Sequence, residues 1–203
     1  SYNEFNYELF NVYEYILKNE IYKSSVTNYL SVELYRSILL HSLRLKKYKW
    51  RIEFIKKYSK LLDPKRRKNI YYFSMAEYYF QRKMFKDARY NLDKISFDEF
   101  IYKLDYRNLM LIIFFEMKEY EGAFNQIDSF KHFLAKDKTL SQDLKKRHRN
   151  FINIMHNLIL YKISSNKFSS YQIEKHFNYD LPYCNWVNEK IIALDIFKVN
   201  KAV

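Results

Sequence analysis

The side chains best equipped for chemistry in this chain are thinly spread. Its five histidines, His41, His132, His148, His156 and His176, never recur at i, i+4, and Cys184 is the only thiol. A protein-bound metal needs several ligands converging, commonly from a short-range pair on one helix face or from a Cys-x-x-Cys turn. Neither spacing occurs, so no metal is expected. Two aspartates repeat, Asp93 after Leu92 and Asp128 after Ile127. Paired carboxylates do acid–base work in a cleft that shifts one of their pKa values. These two fall in different helical segments and are expected to face water or neighbouring lysines. Cys184 lacks the His or Asn context of a thiol enzyme and reads as a partly buried structural cysteine. With a single glycine, Gly122, expected in an interhelix turn, the chain holds neither a Walker loop nor a dinucleotide turn, which need several residues at φ > 0 or close to phosphate. Neither catalysis nor a cofactor is expected.

What does repeat is a packing pattern. An aromatic, an Ala three residues on, an aliphatic and a large apolar residue follow one another at Phe85/Ala88/Leu92/Ile95 and again, 35 residues later, at Tyr120/Ala123/Ile127/Phe130. A looser copy lies 37 residues upstream at Tyr48/Arg51/Ile55/Tyr58, with Arg51 where the small residue belongs. This period marks stacked pairs of antiparallel helices, because one pair cannot bury both its apolar faces and passes one to a neighbour.

Composition agrees with helix. Among 203 residues there are one Gly and two Pro, too few for the turns of a sheet-rich fold, while 48% hydrophobic content suffices for a full core. The longest apolar run, Leu109 to Phe115, is far short of the roughly 20 residues of a membrane span. The residues from Ser1 onward do not follow the pattern of a secretory leader, and the lone cysteine fits a reducing compartment, so a soluble, cytoplasmic chain is expected. The net charge of +13 raises the possibility of an anionic partner. Its dense clusters, Lys46 to Arg51, Lys65 to Lys68 and Lys145 to Arg149, lie on helices already supplied with apolar stripes and are expected to form solvated faces.

The spacing predicts a first helix over about 3–18 with Phe5, Leu9, Val12, Tyr13 and Ile16 inward. Helix pairs follow over about 32–62, 64–95 and 97–136, opened by Ser31 as N-cap, by Asp63-Pro64, and by a capping box of Ser96 with Glu99. Capping helices follow over about 141–163, 170–178 (opened by Ser169 with Gln172) and 182–197 (opened by Pro182). No linker or composition break divides the chain, so 1–203 reads as one domain: all-α, a right-handed solenoid of about three antiparallel helix hairpins with flanking helices.

At Tyr72, Met75, Ala76, Tyr79, Phe85, Ala88, Leu92 and Ile95, the segment 69–102 resembles a tetratricopeptide repeat. The segment 104–138 keeps Phe114, Tyr120, Ala123, Ile127 and Phe130 but has Leu111 at a small position, and 32–66 keeps Leu39, Tyr48, Ile55 and Tyr58. The order of elements, with the phrase Ile127-Asp128-Ser129-Phe130, looks like tetratricopeptide-like domains of uncharacterised Bacteroidetes proteins. The resemblance implies a solenoid that holds other proteins. By residue-by-residue match the first helix of each pair would line a concave face through Arg36, Arg44, Phe73, Glu77, Phe80, Gln81, Asn108 and Phe115. There apolar anchors would supply energy, and Arg or Asn would orient a bound segment. In the opposing reading Phe73, Phe80 and Phe115 are packed between neighbouring pairs. The carboxylate clamp of chaperone-binding members is not reproduced. The expected activity is therefore non-catalytic binding of a protein segment or a second copy of the chain. A basic helical-repeat nucleic-acid binder is the alternative, prompted by the charge and by aromatics such as Tyr71, Tyr72 and Tyr90.

Overall fold

The computed structural model describes residues 2–23, 28–96, 102–164, 167–178 and 180–196. Among them are ten α-helices, a short 3-10 helix and no strand, and no helix is long and apolar enough to cross a membrane. The chain divides into two compact units, Ser1–Lys103 and Leu104–Val203, where the sequence reads as one continuous domain.

The first unit holds α1 (Tyr2–Lys18), α2 (Val32–Arg44), α3 (Tyr48–Tyr58, continued by a 3-10 turn at Ser59–Leu61), α4 (Pro64–Gln81) and α5 (Phe85–Leu92). Each helix packs on the next in chain order. The second unit holds α6 (Lys103–Glu116) from Leu104 onward, α7 (Tyr120–Lys136), α8 (Gln142–Ser164), α9 (Lys167–His176) and α10 (Cys184–Ala193), with α8 packed on both α7 and α9.

The helix starts have identifiable causes. The Ser31 hydroxyl accepts from the Leu34 amide at 3.1 Å and the Asp63 carboxylate from the Lys65 amide at 2.8 Å, each satisfying an orphan donor of the first turn. Ser141 does the same for Leu144 at 3.2 Å. Three expected starts turn out differently. Ser169 is no cap: it is buried inside α9, which opens at Lys167. Pro182 precedes the last helix, which opens at Cys184 after Tyr183 in a left-handed conformation. Glu99 lies outside the described residues, and Ser96 instead exchanges two backbone hydrogen bonds, both 3.0 Å, with the Asn69 amide.

The three short helix-to-helix turns share one geometry. Lys46, Lys83 and Lys118, spaced by the same 37 and 35 residues as the sequence repeat, all stand at positive φ, 54°, 58° and 61°. Each amide donates to the carbonyl three residues back, and the next amide to the carbonyl five back, at 2.9 to 3.1 Å. This double bond pattern closes a helix C-terminus around a left-handed residue, a place where Gly is favoured because it has no Cβ. Lysine there carries strain of about 1–2 kcal/mol. Lys46→Gly, Lys83→Gly and Lys118→Gly should each raise stability by about 0.5–1 kcal/mol, read as a shift of the urea midpoint.

After each turn the fourth helical amide bonds back to the turn: Arg51 to Lys47, Ala88 to Met84, Ala123 to Glu119. Ala88 and Ala123 are fully buried, as is Ala76 on α4, so neighbouring backbones can approach where larger side chains would hold them apart. Phe80 and Phe85 meet across the second turn at 6.2 Å, and Phe115 and Tyr120 across the third at 6.4 Å. Gly122 is not in a turn: it lies in the first turn of α7, where a Cβ would sit 2.5 Å from the Phe114 ring. Close ring packing, not backbone freedom, accounts for it.

Helix α1 buries a different face from the expected one. Asn6, Phe10 and Leu17 point inward with Tyr13 half-buried, while Phe5 and Val12 are 61% and 51% exposed. The Phe10 ring meets Trp50 edge-on at 4.7 Å, and the Asn6 carbonyl lies 2.7 Å from His41 Nε2.

Candidate functional site

Arg51 is the fourth residue of α3, as Ala88 is of α5 and Ala123 of α7, and its side chain is buried with 1% exposure. A guanidinium cannot shed its charge, so removing it from water requires a carboxylate nearby. Glu77 on α4 supplies one: its Oε2 lies 3.7 Å from Arg51 Nη2, and its Oε1 4.0 Å from Arg36 Nη1 on α2. The Arg36 guanidinium also stands 4.4 Å from the Tyr102 ring centroid and 5.8 Å from that of Phe73, whose rings lie 6.1 Å apart. Cation–π attraction and the shared carboxylate fix Arg36 in place.

Of the residues expected on a concave face, Arg36, Phe73 and Glu77 therefore come together on α2 and α4. Phe73 is buried and Arg36 and Glu77 half-buried, while Arg44 and Gln81 are exposed. Phe80 is packed, against Phe85. In the second unit Phe115 is buried edge-on against Trp186 at 5.5 Å, and Asn108 is fully buried beside His148. The reading in which Phe73, Phe80 and Phe115 are packing residues describes their burial. Arg51 lies outside the expected set, because in the sequence pattern it stands as a defect where a small residue belongs. That defect was the available signal, since a large cation in a small-residue slot needs a counterion.

The basic clusters are solvated only in part. Lys65, Arg66, Arg67 and Lys68 are all exposed on the first turn of α4. In the cluster at 46–51, Arg51 is buried and the Lys47 ammonium sits 4.1 Å from the Phe10 ring centroid. In the cluster at 145–149, Lys145 and His148 are buried, because α8 turns every third or fourth residue inward.

His148 Nδ1 lies 3.2 Å from Asn108 Oδ1, so the neutral ring donates from Nδ1, while the buried Asn108 Nδ2 has no partner among the described residues. Burial first, then the positive charge of Arg147, hold the imidazole at a pKa of about 4, below its ordinary 6.5. Above pH 6.5 the ring is neutral in both folded and unfolded chains. Between 6.5 and 4 the unfolded chain takes up a proton that the fold refuses, so stability falls as pH drops through this window. The loss should approach about 3 kcal/mol by pH 4. Urea midpoints at pH 7 and pH 4.5 should differ for the native chain, and the difference should shrink in His148→Gln.

A second feature of the first unit is a column of rings. Phe10, Trp50, Phe54 and Tyr58 follow one another at 4.7, 5.0 and 5.0 Å, the last three at four-residue steps along α3. Beside it lies a cleft of ≈830 Å³ between α1 and α3, edged by Glu14, Glu53, Lys18 and Lys57. The Trp50 indole donates to Glu14 at 3.0 Å, and the column is closed by Lys47 over Phe10 and by Lys57 over Tyr58, 5.0 Å from the ring centroid. These contacts tie α1 to α3, so the column works as a brace, and Trp50, Phe54 and Tyr58 also line the cleft.

Near the end of the second unit, Glu116 accepts from the Trp186 indole at 2.7 Å and pairs with Lys190 at 2.6 Å. This ties α10 to the end of α6, and no spacing in the sequence announces it. Among the described residues no three His, Cys, Asp or Glu side chains converge as metal ligands would. Compared with known proteins, the chain matches no family model, no curated protein and no solved structure. Among the described residues the protein is all-helical, with a half-buried Arg36–Glu77 surface.

Proposed function

We propose that this chain is a non-catalytic interaction module of tetratricopeptide-like helix pairs, working in the cytoplasm and holding a protein segment or a second copy of itself along α2 and α4. The observation that carries the proposal is spacing: the helix-to-helix turns at Lys46, Lys83 and Lys118 stand 37 and 35 residues apart, and Arg51, Ala88 and Ala123 follow as the fourth residue of the next helix. Tandem pairs of this kind present the first helix of each pair as a continuous surface. On that surface Arg36 is already oriented by Glu77 and Tyr102, with Arg44 and Gln81 exposed on the same two helices. An oriented guanidinium suits a carboxylate or main-chain carbonyl of a bound segment.

Affinity capture from the native organism, with the double variant Arg44→Glu/Gln81→Glu as control, tests this reading. Proteins retained by the native chain and lost by the variant support it. Equal recovery by both, together with no self-association of the native chain, removes it.

The alternative, nucleic-acid binding, is favoured by one observation, the four exposed cations in the first turn of α4. Titration with RNA and DNA at two salt concentrations decides, since phosphate contacts make affinity fall steeply with salt.

A further inference from the structure

The cleft between α1 and α3 carries more than a brace requires. Its ≈830 Å³ falls in the range of small-molecule sites, about 300–1,000 Å³. One wall is aromatic, with Trp50 and Tyr58 half-buried and Phe54 buried, and Tyr22 lines it from beyond the end of α1.

The rim is charged in a fixed order. The two helices run in the same direction: Lys47, at the start of α3, meets the rings of Tyr7 and Phe10, and Trp50 meets Phe10 and Glu14. That register sets Glu53 about level with Glu14, and Lys57 with Lys18, one turn or about 6 Å further on. A glutamate and a lysine four residues apart on a helix ordinarily pair with each other. Here they do not. Glu14 accepts from Trp50 on the opposite helix, the Lys57 ammonium stands over the Tyr58 ring, and among the described residues none of the four is in an ion pair. All four line the cleft, while Glu20, the remaining carboxylate of its rim, is taken up by Lys23.

Two carboxylates at one level and two ammoniums at the next match a ligand that carries both charges. A ligand of one sign would meet like charges at the other level, which costs affinity. An extended dipeptide spans about 7 Å from end to end, close to the step between the levels, whereas a free amino acid holds both charges on one carbon. The aromatic wall suits aromatic side chains, which gain from edge and offset ring contacts.

We propose that the cleft between α1 and α3 binds a free dipeptide with aromatic side chains, its ammonium toward Glu14 and Glu53, its carboxylate toward Lys18 and Lys57, and its rings against Trp50, Phe54 and Tyr58. The inference goes beyond the α2 and α4 reading and does not rest on it.

The test is calorimetric titration of the full chain with phenylalanyl-phenylalanine, its N-acetyl and C-amide derivatives, and free phenylalanine. The free dipeptide should bind with a Kd of about 1 mM or tighter, and each of the other three about fivefold or more weakly than it. Tryptophan emission should change on binding in the native chain and stay constant in Trp50→Phe, which locates the ligand at the cleft rather than beside Trp186. Glu14→Gln/Glu53→Gln should erase the cost of N-acetylation and keep that of amidation, and Lys18→Gln/Lys57→Gln should do the reverse. Both double variants should melt near the native temperature, since all four side chains are exposed and a glutamine at position 14 still accepts from the indole. Absence of binding, indifference to either cap, capping costs unchanged in the double variants, or an emission change that persists in Trp50→Phe would each overturn the proposal. So would tighter binding of either capped derivative, which would make the cleft a site for a singly charged ligand. None of these outcomes bears on the Arg44→Glu/Gln81→Glu capture, which decides the α2 and α4 reading separately.

Discussion

Ala88→Arg and Ala123→Arg should each cost about 4 kcal/mol or more and leave the unit that carries the change without a cooperative melt. Both alanines are fully buried at the fourth helical position after a turn. An arginine there would force apart helices packed at backbone distance and bring a charge that cannot be neutralised by losing a proton. The control is built into the chain, because Arg51 fills the equivalent position after the first turn and is tolerated with Glu77 facing it. Ala88→Ser, a small change in volume, should cost far less. Thermal melts followed at 222 nm distinguish the cases, and a native-like melt for Ala88→Arg would show that the slot is not close-packed.

Glu77→Ala is expected to destabilise the first unit by about 3 kcal/mol, because removing one partner of a buried pair leaves the other charge without its counterion. The loss should exceed that of Arg44→Ala, an exposed cation on α2. Combining Glu77→Ala with Arg51→Met should recover most of it, since an apolar side chain of similar length has no charge to compensate. A double-mutant cycle on urea midpoints measures the coupling. Additive losses would mean that Glu77 stabilises the fold by other contacts.

The parts of the fold legible in sequence are those in which local chemistry and packing agree. Ser31, Asp63-Pro64 and Ser141 each satisfy an orphan amide within three residues, so the signal and its effect lie side by side. The offset between Phe85/Ala88 and Tyr120/Ala123 is legible because the same turn and the same buried alanine recur. The inward face of α1 is not, and the reason is geometric. Phe5, Leu9, Val12, Ile16 and Asn6, Phe10, Tyr13, Leu17 are interleaved stripes with the same steps, and periodicity cannot say which one meets the body. The contacts of Phe10 with Trp50 and of Asn6 with His41 decide it from 35 to 40 residues away.

The candidate surface divides in the same manner. Arg36, Phe73 and Glu77 are adjacent, yet the residue that explains Glu77 is Arg51, 26 positions earlier. Likewise Lys145 and His148 belong to a basic cluster in sequence and to the interior in space, because charge density along a chain is blind to which side of a helix it falls on. Asn108 fits the same account, buried by its pairing with His148 across two helices.

The Arg51–Glu77 pair also bears on how firmly the first unit selects a single arrangement. Stacked aromatic rings are forgiving: α3 could slide along its neighbours by one turn, about 5.4 Å, and still bury hydrocarbon. Such a slide would strand a guanidinium in a dry interior with its carboxylate out of reach, so the misaligned states lose the most. The ion pair therefore acts as a key among near-equivalent packings, and its removal should broaden the ensemble of side-chain environments even in variants whose overall stability has been restored.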